Sequence, residues 1–388
     1  MDVQPHAFET LPWRSSTRRD RHVTSYRATV PPFLAAQSIS VRDQTLELCR
    51  RAAIDVALLE HEVGDRLTSL EPFLLRTEAV ASSKIEGEVA SADQLARAQA
   101  GLGASTMARS VLAASNGLAA LVAAASNGIH MDDVLEAHRK LMQDDPVDSR
   151  YAGRLRDMQN WIGGSDYSPA GAVHVPPQPS RVSALMDDLV GFANQRTGDP
   201  IVQAALVHAQ FESIHPFTDG NGRIGRSLIN AIWRHREVTR QVTVPVASAI
   251  VARQDEYFRL LNAFREGYLQ PFVEFLALAT SAAAQQARDS AAHIVALPAQ
   301  WRSTVRPREG SSASRLIDLL IQHPVVNIDD VQALTGASQS SAYDAVARLE
   351  GAGILRTITE SRRQRTWAAG EVLDEVDALV DRLRVRAG

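Results

Sequence analysis

The chain has 388 residues, 45% of them hydrophobic and 22% charged, with a formal net charge of −4. That length calls for two or three domains, and the composition supplies a core, so extensive disorder is excluded. The slight negative charge leaves no global footprint for nucleic acid or a membrane surface. The one cysteine, Cys49, excludes an intrachain disulfide and fits a reducing cytoplasm.

The first 35 residues carry scattered prolines and arginines and read as an irregular arm without the apolar stretch of a secretory signal. A helical region follows over 36–127, with an apolar stripe at Leu46, Ala53, Val56, Ala57 and Leu59 and further helices near 72–86, 92–100 and 105–126. No apolar run is expected to reach a membrane span; 118–125 comes nearest.

A core is expected over 128–300, opening with a helix near 130–142. Over 151–178, Gly163, Gly164, Pro169 and Gly171 are turn formers, and the β-prone run Ala172, Val173, His174, Val175 ends at Pro176 and Pro177; this pattern predicts a β-hairpin. Ser180 is the expected cap of the next helix. Asp199 followed by Pro200 marks another start, an N-cap with proline at the first helical position. That helix delivers the chain to residues 215–226, HPFTDGNGRIGR.

This stretch holds most of the chemistry. His215 has the only side chain in it whose ordinary pKa lies near neutrality, which suits a proton acceptor. Asp219 offers a hard oxygen ligand for Mg²⁺. Gly220 and Gly222 flank Asn221, and their amides can turn inward as an anion nest. The spacing of Ile224, Leu228 and Ile232 starts a helix at this point, so phosphate would meet free amides and the positive end of a dipole. Arg223 and Arg226 share a helix face and can grip phosphate oxygens. The alternative is a Gly-Asn turn leading into a helix with surface arginines. No residue in the stretch is a resident covalent nucleophile.

Helices near 253–266 and 270–296 close the core, and 301–312 reads as a linker. From 313 to 370 three short helices precede two strand-like runs, 354–359 and 365–368, around a wing at 360–363, an order that resembles a winged helix-turn-helix domain; residues 371–388 form a C-terminal helix or tail. Ser340 and Tyr343 on its third helix, with Arg362, Arg363 and Arg365 in the wing, are the candidate DNA contacts. Nine arginines against seven acids over 301–369 leave only +2, so DNA binding and a dimer or protein contact both stay open.

The string 215–226 matches without a gap the Fic signature HPFx(D/E)GNGRxxR, and the chain resembles that family. The resemblance implies a mainly α fold, a helical core with a β-hairpin flap, and transfer of AMP from ATP with Mg²⁺ to a Ser, Thr or Tyr hydroxyl of a protein, itself included. By the same resemblance His215 is the base and Asp219 holds the metal. Gly220, Asn221, Gly222, Arg223, Gly225 and Arg226 bind the nucleotide, Tyr257 walls the adenine, and 172–175 dock the target segment. Residues 82–88, SSKIEGE, resemble the family's inhibitory motif (S/T)xxxE(G/N) through Ser82, Glu86 and Gly87. This implies that Glu86 pairs with Arg226 and blocks productive seating of the γ-phosphate. Some relatives also use this glutamate to remove AMP, and the sequence leaves that direction open. A rival expectation is a DNA-binding regulator whose core only senses a nucleotide.

Overall fold

The computed structural model describes residues 2–387 apart from 15–17, 19, 36, 38, 65, 66 and 360–364. In chain order the elements are β1 (Ala7–Pro12), β2 (Ser25–Val30), α1 (Asp43–Gly64), α2 (Leu67–Ile85), α3 (Ala92–Gln99), α4 (Thr106–Ala124), α5 (Met131–Met142), α6 (Pro179–Ala193), α7 (Pro200–Ile214) and α8 (Asn221–His235). They continue with α9 (Val246–Ala252), α10 (Gln254–Arg265), α11 (Gln270–Val305), α12 (Ser312–Leu319), β3 (Val325–Asn327), α13 (Ile328–Thr335), α14 (Gln339–Gly351), β4 (Leu355–Thr357), β5 (Thr366–Ala369) and α15 (Gly370–Ala387). The protein is mainly helical with two small sheets.

Two compact units divide the chain: residues 1–54, 116–240 and 254–279 form one, and residues 55–115, 241–253 and 280–388 the other. This departs from the contiguous division expected over 36–127 and 128–300, because α1, α4 and α11 each run through a boundary.

In the first unit α7 is the central helix. Residues 201–214 are all buried, with α6, α8 and α10 packed around them. Its apolar residues are spread around the whole circumference, and Gln203, His208, Gln210 and Glu212 are buried among them, so the helix has to be enclosed. Asp199 starts it by accepting from the Ile201 and Val202 amides at 2.8 and 3.3 Å. Phe211, Phe217, Ile229, Ile232 and Trp233 are fully buried here, each contributing roughly 1.5–3 kcal/mol.

Three expectations are corrected in this unit. The arm is not irregular throughout: β1 and β2 pair antiparallel, Ala7 opposite Val30 and Pro12 opposite Ser25. Thr29 then donates to Val175 O at 2.9 Å, joining the arm to the predicted hairpin. Ser180 is not the cap of α6, which begins at Pro179 after an extended Gln178 without a side-chain cap. Thr106–Asn127 is long and apolar enough by length and composition to cross a membrane, with mean hydropathy 1.4. Its residue Gly117 packs closely on α5: a Cβ there would lie 2.8 Å from Ala137 O.

In the second unit α2 packs on α9, and α12–α14 enclose a core of Trp301, Leu316, Ile317, Val331, Val346, Leu349 and Trp367. The sheet order is β3-β5-β4, antiparallel. Asn327 caps α13 in a reciprocal box with Asp330, and Gly336 ends it in the left-handed conformation. The linker expected from residue 301 begins later than the sequence suggested, because α11 continues through Pro298 to Val305.

Candidate active site

The corner between α7 and α8 positions the motif. His215 terminates α7 in the left-handed conformation, φ 49° and ψ 61°, its amide donating to Phe211 O at 2.8 Å. Helices often end this way, but usually on glycine. A residue with a Cβ pays roughly 1–2 kcal/mol there, so the neighbours must hold the loop.

They do so carbonyl by carbonyl. Arg156 Nε donates to His215 O at 2.8 Å, and the Arg156 amide donates to Pro216 O at 2.9 Å. Asn160 Nδ2 and Asn221 Nδ2 both donate to Phe217 O at 2.9 Å, while Asn221 Oδ1 accepts from the Phe217 amide at 2.8 Å. His138 closes the far side. Its ring stacks on Phe217 at 3.7 Å, its Nδ1 accepts from the Gly153 amide at 3.0 Å, and its Nε2 therefore donates to Asp219 O at 3.2 Å. Burial pushes the His138 pKa down to about 4, so the ring is neutral and keeps this tautomer.

Gly220 starts α8 at φ 74°, and a Cβ there would lie 2.8 Å from Leu141 Cδ2. Only glycine meets both the angle and the close approach of α5. The first intrahelical bond of α8 runs from the Ile224 amide to Gly220 O at 3.1 Å. The amides of Asn221, Gly222 and Arg223 lie before it, where a helix offers no internal acceptor.

The charges are layered. Asp219 is 53% exposed at the mouth, its Oδ1 accepting from the Gly220 amide at 2.6 Å. Arg223 is only 4% exposed, with Nη2 3.6 Å from Asp219 Oδ2, and Arg226 is 1% exposed. Asp148 has its carboxyl pKa raised by burial, with the Asp219 and Asp145 charges adding to the effect. Among the described residues no group of three or more His, Cys, Asp or Glu is arranged to hold a metal. One exposed carboxylate does fit a Mg²⁺ that draws its remaining ligands from phosphate and water.

Gly225 serves packing: a Cβ would lie 2.6 Å from Glu212 Oε1 and 3.0 Å from Phe211 Cδ1, so its absence lets α7 and α8 approach. Tyr257 departs from its expected place as an adenine wall. It is 1% exposed, its hydroxyl bonded to His208 Nε2 at 2.8 Å and its ring packed with Phe272 and Phe275. The hydroxyl satisfies a buried imidazole whose pKa burial and the Arg226 charge push down to about 3. The neighbouring Phe258, 42% exposed, is the aromatic that faces outward.

The predicted hairpin forms around one antiparallel bridge, Ile162 opposite His174, and a tip bridge, Ser165 opposite Ser168. Asp20, from the β1–β2 loop, accepts from the Ser165 and Ser168 hydroxyls at 2.8 and 2.9 Å. Of the four expected docking residues, Val173 is 67% exposed and Ala172 is half-buried. His174 and Val175 turn inward instead, His174 Nε2 bonding Ser213 O at 2.9 Å and Val175 O accepting from Thr29.

The remaining candidates belong to the second unit. Ser82 is buried on α2, and Glu86 follows that helix on an exposed turn. Ser340 and Tyr343 are exposed on α14, and Arg365 lies 3.8 Å from Glu350 Oε1. Arg362 and Arg363 lie outside the described residues. Sequence reasoning missed Arg156, Asn160 and His138. His138 carried a faint signal, a histidine on the apolar face of α5 with Val134, Ala137 and Leu141.

Residues 128–233 match the Fic/DOC family. Over 162 residues the chain is 35% identical to protein adenylyltransferase fic-1 of Caenorhabditis elegans, covering 41% of this chain and 28% of that protein. Over 155 residues it is 34% identical to protein adenylyltransferase Fic of Aedes aegypti, covering 38% of this chain and 27% of that one. The chain thus spans under a third of the length of these curated relatives. Among solved structures, a Fic family protein from Desulfovibrio desulfuricans superposes with a TM-score of 0.53 at 24% identity, over 85% of this chain and 97% of that one. Fic-1 from C. elegans superposes with a TM-score of 0.51 at 26% identity, over 64% and 73%. The protein carries a Fic domain, and its mainly helical fold is shared with Fic structures.

Proposed function

We propose that this chain is a protein adenylyltransferase that moves AMP from ATP to a Ser, Thr or Tyr hydroxyl of a protein. The observation that carries the reading is the α7–α8 corner. It joins a strained, backbone-clamped His215 to a helix start with an exposed Asp219 above the buried Arg223 and Arg226. The names of the matched relatives support it.

His215 takes the proton of the target hydroxyl. The freed oxygen attacks the α-phosphorus, the bond from that phosphorus to the β-phosphate oxygen breaks, and pyrophosphate leaves with the electron pair. Arg223, Arg226 and the amides at residues 220–222 hold the phosphate oxygens, positioning and neutralising them as such a displacement requires. Asn221 serves through its backbone, since its side chain is spent on Phe217. Asp219 would hold a Mg²⁺, which when bound neutralises phosphate charge. Ala172 and Val173 present the target segment, an extended edge suiting main-chain recognition.

Glu86, with Ser82, is the proposed brake through Arg226, resting on the (S/T)xxxE(G/N) match. One charge-assisted bond of about 1.5–3 kcal/mol would suppress productive binding roughly ten- to hundredfold. Removal of AMP by the same glutamate belongs to this proposal. The C-terminal module is proposed as a winged helix whose exposed Ser340, Tyr343 and Arg365 meet DNA or a second copy, and the cytoplasm as the site of action, in keeping with the buried free thiol of Cys49.

Labelled ATP with Mg²⁺ tests the scheme. Glu86→Gly raises self-labelling and adding His215→Ala abolishes it; equal labelling of all three forms refutes it.

A further inference from the structure

We infer that Arg156 is the positioning residue that holds the base His215 and the target-docking hairpin in one register, an inference resting on the adenylyltransferase reading.

Arg156 is 3% exposed, and each of its described hydrogen-bond acceptors is a backbone carbonyl. Its guanidinium donates to Met158 O at 3.0 Å, Pro177 O at 2.5 Å, His215 O at 2.8 Å and Ile214 O at 3.4 Å. Its own amide donates to Pro216 O at 2.9 Å. Burial lowers its pKa to about 10, so it stays charged at neutral pH.

The acceptors fall into two groups. Ile214, His215 and Pro216 form the end of α7 and the turn carrying the imidazole. Carbonyls at a helix C-terminus carry negative partial charge and favour a cation. Met158 and Pro177 are the two stems of the hairpin bridged at Ile162 and His174, whose exposed Val173 is the residue proposed to meet a target. One rigid fork therefore fixes both the proton acceptor and the segment that brings the proton. Lysine lacks this geometry: it offers a point charge on a flexible stem, not five fixed donors.

The phosphate-binding turn is held separately, by His138 on Asp219 O and by Asn221 on Phe217. Loss of Arg156 thus leaves the seat for ATP in place and lets His215 relax from its left-handed conformation, which persists only where neighbours over-determine it. A shift near 1 Å in a reacting group costs on the order of 100-fold in rate.

The test compares Glu86→Gly alone with Glu86→Gly carrying Arg156→Gln, Arg156→Lys or His215→Ala by self-modification with labelled Mg·ATP, and by hydrogen exchange over residues 158–177 and 214–217. Arg156→Gln lowers kcat at least tenfold with the KM for ATP within twofold, and speeds exchange in both segments together. Arg156→Lys falls between it and the Glu86→Gly parent. Unchanged kcat and protection in Arg156→Gln relative to the Glu86→Gly parent, or a KM for ATP rising as much as kcat falls, overturns the assignment. If the Gln variant does not fold, the Lys variant is judged by the same criteria. A Glu86→Gly protein with no transfer activity sinks the adenylyltransferase reading instead, and the exchange data still judge whether Arg156 couples the two segments.

Discussion

Gly220→Ala puts the two demands on this position to a quantitative test. The residue sits at φ 74°, and an added Cβ would lie 2.8 Å from Leu141 Cδ2 and 3.3 Å from Met142 Sδ. The left-handed backbone alone costs a residue with a Cβ roughly 1–2 kcal/mol. Overpacking against two buried side chains of α5 adds about 1–3 kcal/mol. No helix-propensity gain offsets this, because Gly220 is an N-cap, where alanine is a poor choice. The expected total is about 2–5 kcal/mol. Gly198→Ala is the control: it has φ 75° in the same unit but nothing within 4 Å of the added atom, so it isolates the backbone cost. Urea unfolding monitored by circular dichroism measures both. If the two variants lose equal stability, or Gly220→Ala loses less than about 0.5 kcal/mol, the close approach of α5 to the motif turn is wrong.

His208 gives a pH dependence. Its folded pKa, about 3, lies below its ordinary 6.5, so the unfolded chain binds more protons in between. The stability from keeping it neutral is complete above pH 6.5 and declines as pH falls toward 3, by an amount on the order of 5 kcal/mol. His208→Gln flattens the unfolding free energy against pH over that window, and an unchanged slope contradicts the assignment. Tyr257→Phe removes the partner of that buried imidazole and costs about 1–3 kcal/mol, while the KM for ATP stays unchanged; a raised KM would restore Tyr257 as an adenine contact. Asp20→Asn weakens the hold on Ser165 and Ser168, so amides over 163–172 exchange about tenfold faster, in keeping with charge-assisted bonds of about 1.5–3 kcal/mol; unchanged exchange would show that the arm does not brace the hairpin.

Much of this architecture was legible because local chemistry decides it. Asp199 and Pro200 start α7, each within three residues of what it controls. The signature loop was legible for the same reason. What escaped depends on partners distant in sequence. Arg156 reads as one of two arginines in GRLRDMQ, and only the fold carries it to carbonyls 58 and 59 residues away. The β1–β2 pair hides in a Pro- and Arg-rich arm because neither strand shows a clean apolar alternation: β1 is largely solvated, and β2 buries the adjacent Ala28 and Thr29. The resemblance and its aromatic character point Tyr257 toward a ligand wall, whereas the pairing of its hydroxyl with the buried His208 depends on the fold.

The most direct measurement is a crystal structure with Mg²⁺ and a non-hydrolysable ATP analogue. The account predicts the triphosphate across the amides of residues 220–222, its oxygens on Arg223 and Arg226, the metal on Asp219, and the α-phosphorus facing His215. A nucleotide bound elsewhere, or a bare α7–α8 corner at saturating ligand, would contradict it.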